Sequence, residues 1–524
     1  MFNIVENSVG SSVGSVKSPY GSYRLIKDKN GRQYRVGERP EDITKKVLGY
    51  KISRRTMVIG AWMCFFFGSV LEYGWGAAST LVISHYGWST VEGFFNYTVY
   101  VLFEATVAAY IFSRLRERGL LSLRRMLWLG SALLIISYIF FANSFSPWIS
   151  YVGYAMLGGL ASGLGYAAGG GVISKWFPDK RGWRLGLANG AWAYGAVPFI
   201  IIYTDPSLFY PGDFQFVLYM TGAIIAAGLL VASFLVCDAP KNWWPASVDP
   251  LVVAAGTSKS KELQANPPAV AQFTTQEFFA TRQGKAQMAS FTLALAASLF
   301  NVSLYAPFGA AMGFGGGIAF TVGAAGFAFT DGIGRPTQGW ISTFIGRRKA
   351  VTIFYLLMGI GGLGVLAAGL AHQAILWAIL AVLTGAVSGS CFVFDWLIIA
   401  DYFGENNVAT NWSVPYMLKV FGGAFGGIGA TTLLVFASGY GWGAVLGTYT
   451  GIVTFTDLSW ILAFLIATIF ALVAAALVWF YEKKPTIEEY YKVREKLGLP
   501  IPARGERQPS PELTESNEAA GGAR

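Results

Sequence analysis

The stretch Gly323-AAGFAFTDGIGRPTQGWISTF-Ile345 decides how the chain is read. It is long and apolar enough to cross a bilayer, yet Asp331 and Arg335 stand near its middle. Four residues apart, they share one face of a helix. An arginine at mid-bilayer costs about 2.5–3.5 kcal/mol on insertion scales, so such a residue faces a bundle interior and marks function. The next cation at comparable depth is Lys419. Between Lys285 and Lys483 the remaining Lys and Arg residues are Arg347, Arg348 and Lys349, which close this same stretch. Two cations inside an apolar bundle suggest a site for a small anion, above all a carboxylate, whose two oxygens match a guanidinium fork.

The rest of the chain fits a membrane setting. Its 524 residues are 54% hydrophobic and 13% charged, with 64 glycines. Soluble proteins carry about 25% charged residues. The net charge of +10 does not imply nucleic acid, because the basic residues gather in short loops and tails between apolar spans. Cys64, Cys237 and Cys391 fall in apolar segments without paired spacing, so neither a disulfide nor a metal site is expected. No apolar run follows Met1, and no cleavable signal peptide is expected.

Apolar spans of membrane length fall at about 57–84, 92–113, 126–143, 148–174, 185–203 and 214–237, then at 288–312, 318–345, 350–371, 373–400, 410–437 and 455–481. The expected fold is all-α with twelve transmembrane helices. A tail (1–56) precedes a six-helix bundle (57–237), a linker (238–287), a second six-helix bundle (288–481) and a C-terminal tail (482–524). Arg54 and Arg55, Arg114 to Arg125, Lys175 to Arg184, the linker and Arg347 to Lys349 lie on one side, while the six opposite loops hold no Lys or Arg. By the positive-inside rule both termini are cytoplasmic, in a multi-pass protein of the plasma (inner) membrane. The linker, rich in Ala, Ser, Lys and Pro with a short amphipathic piece near Thr275–Phe279, reads as a solvated spacer, and both tails read as flexible.

The halves look like distant repeats. Lys175-Trp-Phe-Pro-Asp-Lys-Arg181 after span 4 has a counterpart in Asp401-Tyr-Phe-Gly-Glu-Asn-Asn407 after span 10. Two six-helix repeats with a midplane site between them describe a secondary transporter. Here the residues resemble the major facilitator superfamily and, within it, the oxalate/formate antiporter family. Lys175-WFPDKR-Gly182, preceded by Gly163-Leu-Gly165-Tyr166, is similar to that family's loop after helix 4. Asn411-WSVPYMLKVFG-Gly423 is similar to its helix 11, and Asp331-GIGR-Pro336 falls where its helix 8 arginine stands. The resemblance implies that Arg335 and Lys419 contact substrate carboxylate, and that Tyr166 and Trp192 line the cavity. It also implies gating by loop residues Lys175, Asp179, Lys180, Arg181, Arg347 and Arg348. The sequence departs from the superfamily's loop signature after span 8, where Thr343 stands in place of an acid. Phe329-TDGIGR-Pro336 also resembles proton-coupled monocarboxylate transporters, which would make Asp331 a proton-coupling residue.

The remaining candidates rest on position. Tyr416 lies one turn before Lys419 on its face and joins the substrate group. Glu72, Glu104 and Asp395 are costly in lipid and should face the interior; Asp395 could balance Lys419. Phe392 is a secondary candidate, while Tyr73, Trp75, Tyr194 and Trp396 read as packing aromatics. The glycine-rich runs lack a Gly-Lys-Ser/Thr ending and read as close helix packing rather than phosphate loops. The expectation is a monomeric carrier of small carboxylates by alternating access, with oxalate/formate-type exchange first and proton-coupled monocarboxylate symport as the alternative. A non-transporting membrane sensor is the remote alternative. No enzyme activity, catalytic residue, cofactor or metal is expected, and the lipid bilayer and a small carboxylate are the partners.

Overall fold

The computed structural model describes residues 12–18, 21–27, 33–37, 46–47, 50–204, 214–254, 259–447 and 453–501. Its long apolar segments are all helical, as backbone polar groups without water in a bilayer core require. The first bundle holds α1 (Arg54–Ser79), α2 (Thr90–Glu117), α3 (Leu123–Ala142), α4 (Pro147–Trp176), α5 (Arg181–Tyr203) and α6 (Phe214–Leu235). The second holds α7 (Arg282–Ala311), α8 (Ile318–Ile345), α9 (Arg347–Leu370), α10 (Ala374–Phe403), α11 (Val408–Ala437) and α12 (Asp457–Tyr481). Eleven are long and apolar enough to cross a membrane by length and composition. The twelfth, α8, is the helix that buries Asp331, Arg335 and Gln338. The protein is an all-α, multi-pass membrane protein.

The bundles meet along α5 against α8, α2 against α11 and α1 against α7. These seams bound the site described below. The described parts of both tails and of the linker gather on one face, hereafter the terminal face. There β1 (Ser12–Ser18), β2 (Gly21–Lys27) and β3 (Gln33–Gly37) form an antiparallel meander, and β4 (Trp243–Trp244) of the linker adds to β3 in parallel. Tyr34, Val36, Trp244, Val253 and Leu263 bury one another beneath that sheet.

The linker therefore differs from a solvated spacer. Phe273 is fully buried between Phe403 and Tyr490, and its N–H donates to the Phe403 carbonyl at 2.9 Å. Apolar side chains such as Leu263 and Phe273 gain more from this packing than from water. The C-terminal segment is likewise ordered over Ile487–Lys496, where Thr486 and Glu489 cap the helix and Arg494 pairs with Glu277 at 2.6 Å. Residues 1–11 and 502–524, also read as flexible, lie outside the described residues.

Candidate functional site

Breaks in four helices shape the bundle interface. In α1 the helix is interrupted at Ser69 and Gly74, which isolates the single turn Val70–Tyr73. In α2 a π-helical stretch runs Phe103–Ile111 and carries Glu104 in its first turn. In α10 the break is at Gly389, where a Cβ would lie 2.2 Å from Asp331 Oδ1 and 2.6 Å from Arg335 Nε. In α11, Pro415 lacks the N–H of a regular helix, and the chain re-enters helix at Lys419. Irregular backbone at membrane depth is tolerated where protein or a cavity surrounds it, which is how discontinuous helices build transporter sites.

These breaks deliver two cationic clusters. Arg335 is fully buried and uses all five donors. Nε and Nη2 reach Asp331 Oδ1 at 3.0 and 2.8 Å, Nη2 reaches the Tyr73 hydroxyl at 2.7 Å, and Nη1 reaches Asn189 O and Oδ1 at 3.0 and 2.7 Å. Tyr73 in turn donates to Asp331 Oδ2 at 3.0 Å. Lys419, also fully buried, donates to Glu72 Oε2 at 2.8 Å, to Glu104 Oε1 and Oε2 at 3.0 and 2.8 Å, and to the Tyr416 hydroxyl at 3.1 Å. Tyr416 donates to Glu104 Oε1, and Trp192 Nε1 donates to Glu72 Oε2 at 3.0 Å.

Aromatic rings fill the space around the clusters. The Phe392 ring lies 4.7 Å from the Arg335 guanidinium carbon and 5.3 Å from Lys419 Nζ, so one ring faces both cations. Tyr166 stacks on Tyr416 and Trp412 at 4.9 and 5.5 Å and meets Trp192 edge-on at 4.7 Å. Asn189 ties the clusters together, since its Nδ2 donates to the Tyr166 hydroxyl at 3.0 Å.

The structure thus gathers Arg335, Lys419, Asp331, Tyr166, Trp192, Tyr416, Glu72, Glu104 and Phe392 at the interface. It corrects the pairing suggested for Asp395, which accepts from Gln287 Nε2 at 3.0 Å, whereas Lys419 is held by Glu72 and Glu104. Tyr73, read as packing, touches both Arg335 and Asp331, and Asn189 has no sequence signal of its own. Trp396 does stack on Trp412 at 4.0 Å.

The loop residues close the terminal face. Arg181 and Arg347, from opposite bundles, both bond Asp401, at 2.5 and 2.9 Å. Arg347 also pairs with Glu262 of the linker at 3.0 Å, and Gly182 N donates to the same oxygen at 2.8 Å. Glu262 supplies the acid that Thr343 does not. Glu117 caps the start of α11 by accepting from Ala409 N and Thr410 N, each at 3.1 Å, and Lys175 lies 3.5 Å from it. Asp179 pairs with Arg54 at 2.5 Å, Arg348 lies over Trp479 at 5.5 Å, and Lys180 is exposed. Burial works against the charge of Asp238, but Arg116 and Lys175 outweigh it and hold its carboxyl below the usual range.

A profile described as Major Facilitator Superfamily matches residues 57–427. The chain belongs to that superfamily. It is 26% identical over 359 residues to the oxalate:formate antiporter of Oxalobacter formigenes, covering 68% of this chain and 74% of that protein. It is 22% identical over 311 residues to the uncharacterized MFS-type transporter YhjX of Escherichia coli K12, covering 59% and 71%. Among solved structures, a nucleoside transporter NupG mutant aligns with TM-score 0.54 at 12% identity, covering 81% of this chain and 99% of that one. A double-tryptophan XylE mutant aligns with TM-score 0.55 at 13% identity, covering 84% and 98%. This major facilitator is a transporter rather than an enzyme.

One prediction concerns the gate. Removing the acid shared by Arg181 and Arg347 leaves Arg181 without its buried carboxylate and Arg347 with Glu262 alone, a loss of about 3–5 kcal/mol for a broken buried pair. With spin labels on Lys180→Cys and Lys349→Cys, both exposed and on opposite bundles, Asp401→Asn should shift the distance distribution toward the longer component. An unchanged distribution would mean that the gate does not rest on Asp401.

Proposed function

We propose that this transporter carries small organic carboxylates by alternating access, with Arg335 and Lys419 as the anion anchors. The observation that carries this reading is the pair of fully buried cations facing one aromatic ring at the bundle interface. A planar anion seated there would meet a guanidinium fork at one end and an ammonium at the other. Tyr166, Trp192 and Tyr416 would exclude water from it, and low local dielectric strengthens both contacts. The terminal face is taken as cytoplasmic, in the plasma (inner) membrane, and the working unit as a monomer.

Exchange of one carboxylate for another is the leading mode, supported by the oxalate:formate antiporter relative and by the paired cations. Proton-coupled symport is the second mode, favoured by the acids that occupy both cations, Asp331 on Arg335 and Glu72 with Glu104 on Lys419.

Uptake of labelled oxalate, formate and lactate into proteoliposomes tests the reading. Each is run with and without internal counter-anion, and with and without an inward proton gradient. Exchange requires internal anion; symport requires the gradient alone. Lys419→Gln is expected to lower uptake of the accepted anion by about 30-fold or more, the size of one lost buried charge contact. Wild-type protein that moves none of the three would remove the carboxylate reading.

A further inference from the structure

The acids around Lys419 outnumber it. Its ammonium faces Glu72 and Glu104, and all three side chains are fully buried. Glu104 engages Lys419 through both oxygens and also accepts from Tyr416. Glu72 uses Oε2 alone, shared between Lys419 and Trp192, while its Oε1 is buried with no hydrogen-bond partner among the described residues. The neighbouring Arg335–Asp331 pair is already balanced. Two carboxylates on one ammonium would leave an excess buried charge, which costs more than taking up a proton.

We infer that Glu104 is a proton carrier, giving up its bond to Lys419 and taking one proton from solvent for each singly charged carboxylate that binds; this rests on the carboxylate reading above. In the closed, empty site Glu104, bonded to Lys419 through both oxygens, is the carboxylate that neutralises it. For an anion to reach the ammonium, the Glu104 carboxylate must leave it. Once displaced, Glu104 stays buried without a cation, so it takes a proton and donates to the Tyr416 hydroxyl, reversing the bond it now accepts. The charge balances: one anion and one proton enter, and Lys419 remains an ammonium throughout. On release the anion leaves, Glu104 returns the proton to water and pairs with Lys419 again.

The other charged and titratable groups around Glu104 do not compete for this role. Tyr97 and Tyr100 on its own helix and Tyr166 on α4 are buried phenols. The backbone of α4 lies against Glu104 at Gly159 and Gly163. From α8 comes Asp331, which holds Arg335 through Nε and Nη2 and keeps that cation when an anion replaces the neutral Asn189 oxygens on Nη1, and from α10 Asp395, which accepts from Gln287. Glu104 stands at the head of the π-helical stretch, a backbone form found frequently at functional sites.

The test measures protons on binding rather than transport. Purified full-length protein in weakly buffered detergent solution is mixed with formate or lactate at pH 7, where both are fully ionised, and a pH indicator reports proton uptake. Wild type should take up protons on binding, at most one per anion, and its affinity should fall as pH rises from 6 to 8. Glu104→Gln, a neutral isostere of the protonated state, should bind the same anions with no proton uptake and no pH dependence. Glu104→Asp should keep both. Thermal unfolding of each variant checks that the fold is intact. Anion binding by wild type without proton uptake, or wild-type uptake in a folded Glu104→Gln, overturns the inference and leaves the carboxylate reading standing. No binding of either anion or of oxalate by wild type overturns both.

Discussion

Arg335→Gln is expected to lower carboxylate uptake by about 30-fold to several thousand-fold, the range that corresponds to roughly 2–5 kcal/mol for one truncated partner of a buried charge pair. The single variant conflates two effects. It removes the guanidinium that the anion would bind, and it leaves Asp331 buried with the Tyr73 hydroxyl in place of a cation. The second effect alone destabilises a protein by about 3–5 kcal/mol. The double variant Asp331→Asn/Arg335→Gln separates them. It should regain most of the lost thermal stability, since no charge remains uncompensated, and still transport no faster than the single variant. Recovery of uptake in the double variant would reduce Arg335 to a structural partner of Asp331. Arg335→Lys should also be poor, because one ammonium cannot satisfy Asp331, Tyr73 and both oxygens of Asn189 at once.

Much of the fold was legible because lipid imposes a simple code. Apolar runs of helical length, separated by loops of alternating basic content, place twelve helices without any tertiary information. The positions of Arg335 and Lys419 were legible for the same reason, since a cation deep in an apolar span has few explanations. The partners of those cations were harder to read. Pairing of Lys419 with Glu72 and Glu104 spans three helices far apart in the chain, and sequence supplies depth along a helix but not the rotation that brings faces together. Asp395 sits at a plausible depth, yet its side chain finds Gln287 on α7.

The other gaps share a cause. Tyr73 and Asn189 are ordinary residue types in spans rich in aromatics and small polar groups, so nothing in composition separates them from packing. Their roles appear only once the α1 break turns Tyr73 toward α8 and the α5–α8 seam sets Asn189 beside Arg335. Glu262 lies in a stretch whose polarity reads as solvated linker. Its value comes from where the linker folds: back onto the gate, to serve Arg347 where α8 ends without an acid. The departure at Thr343 was visible in the sequence, and its compensation was not.

Gly186→Leu should abolish transport while leaving each bundle folded. On α5, Gly182, Gly186 and Gly190 recur every fourth residue and face α8 in reverse order. A Cβ on them would lie 2.8 Å from Gly339 O, 2.6 Å from Arg335 O and 2.2 Å from Gly332 O. These neighbours are backbone atoms that cannot swing aside, so a leucine must push α5 and α8 apart. The seam runs from the Arg181 gate to Arg335, which means the wedge acts on the closed terminal half and not on the interior of either bundle. Overpacking costs about 1–3 kcal/mol and sometimes more. Because the cost falls on one of two alternating states, 2–3 kcal/mol would change their ratio by a factor of about 30 to 150. Labels at Lys180→Cys and Lys349→Cys should therefore report a predominantly longer distance in Gly186→Leu, with uptake near background. Gly186→Ala, with a single methyl, should fall between it and wild type. A short distance retained in the leucine variant would show that the seam can yield, and alternation would then have to be sought along α2 and α11 instead.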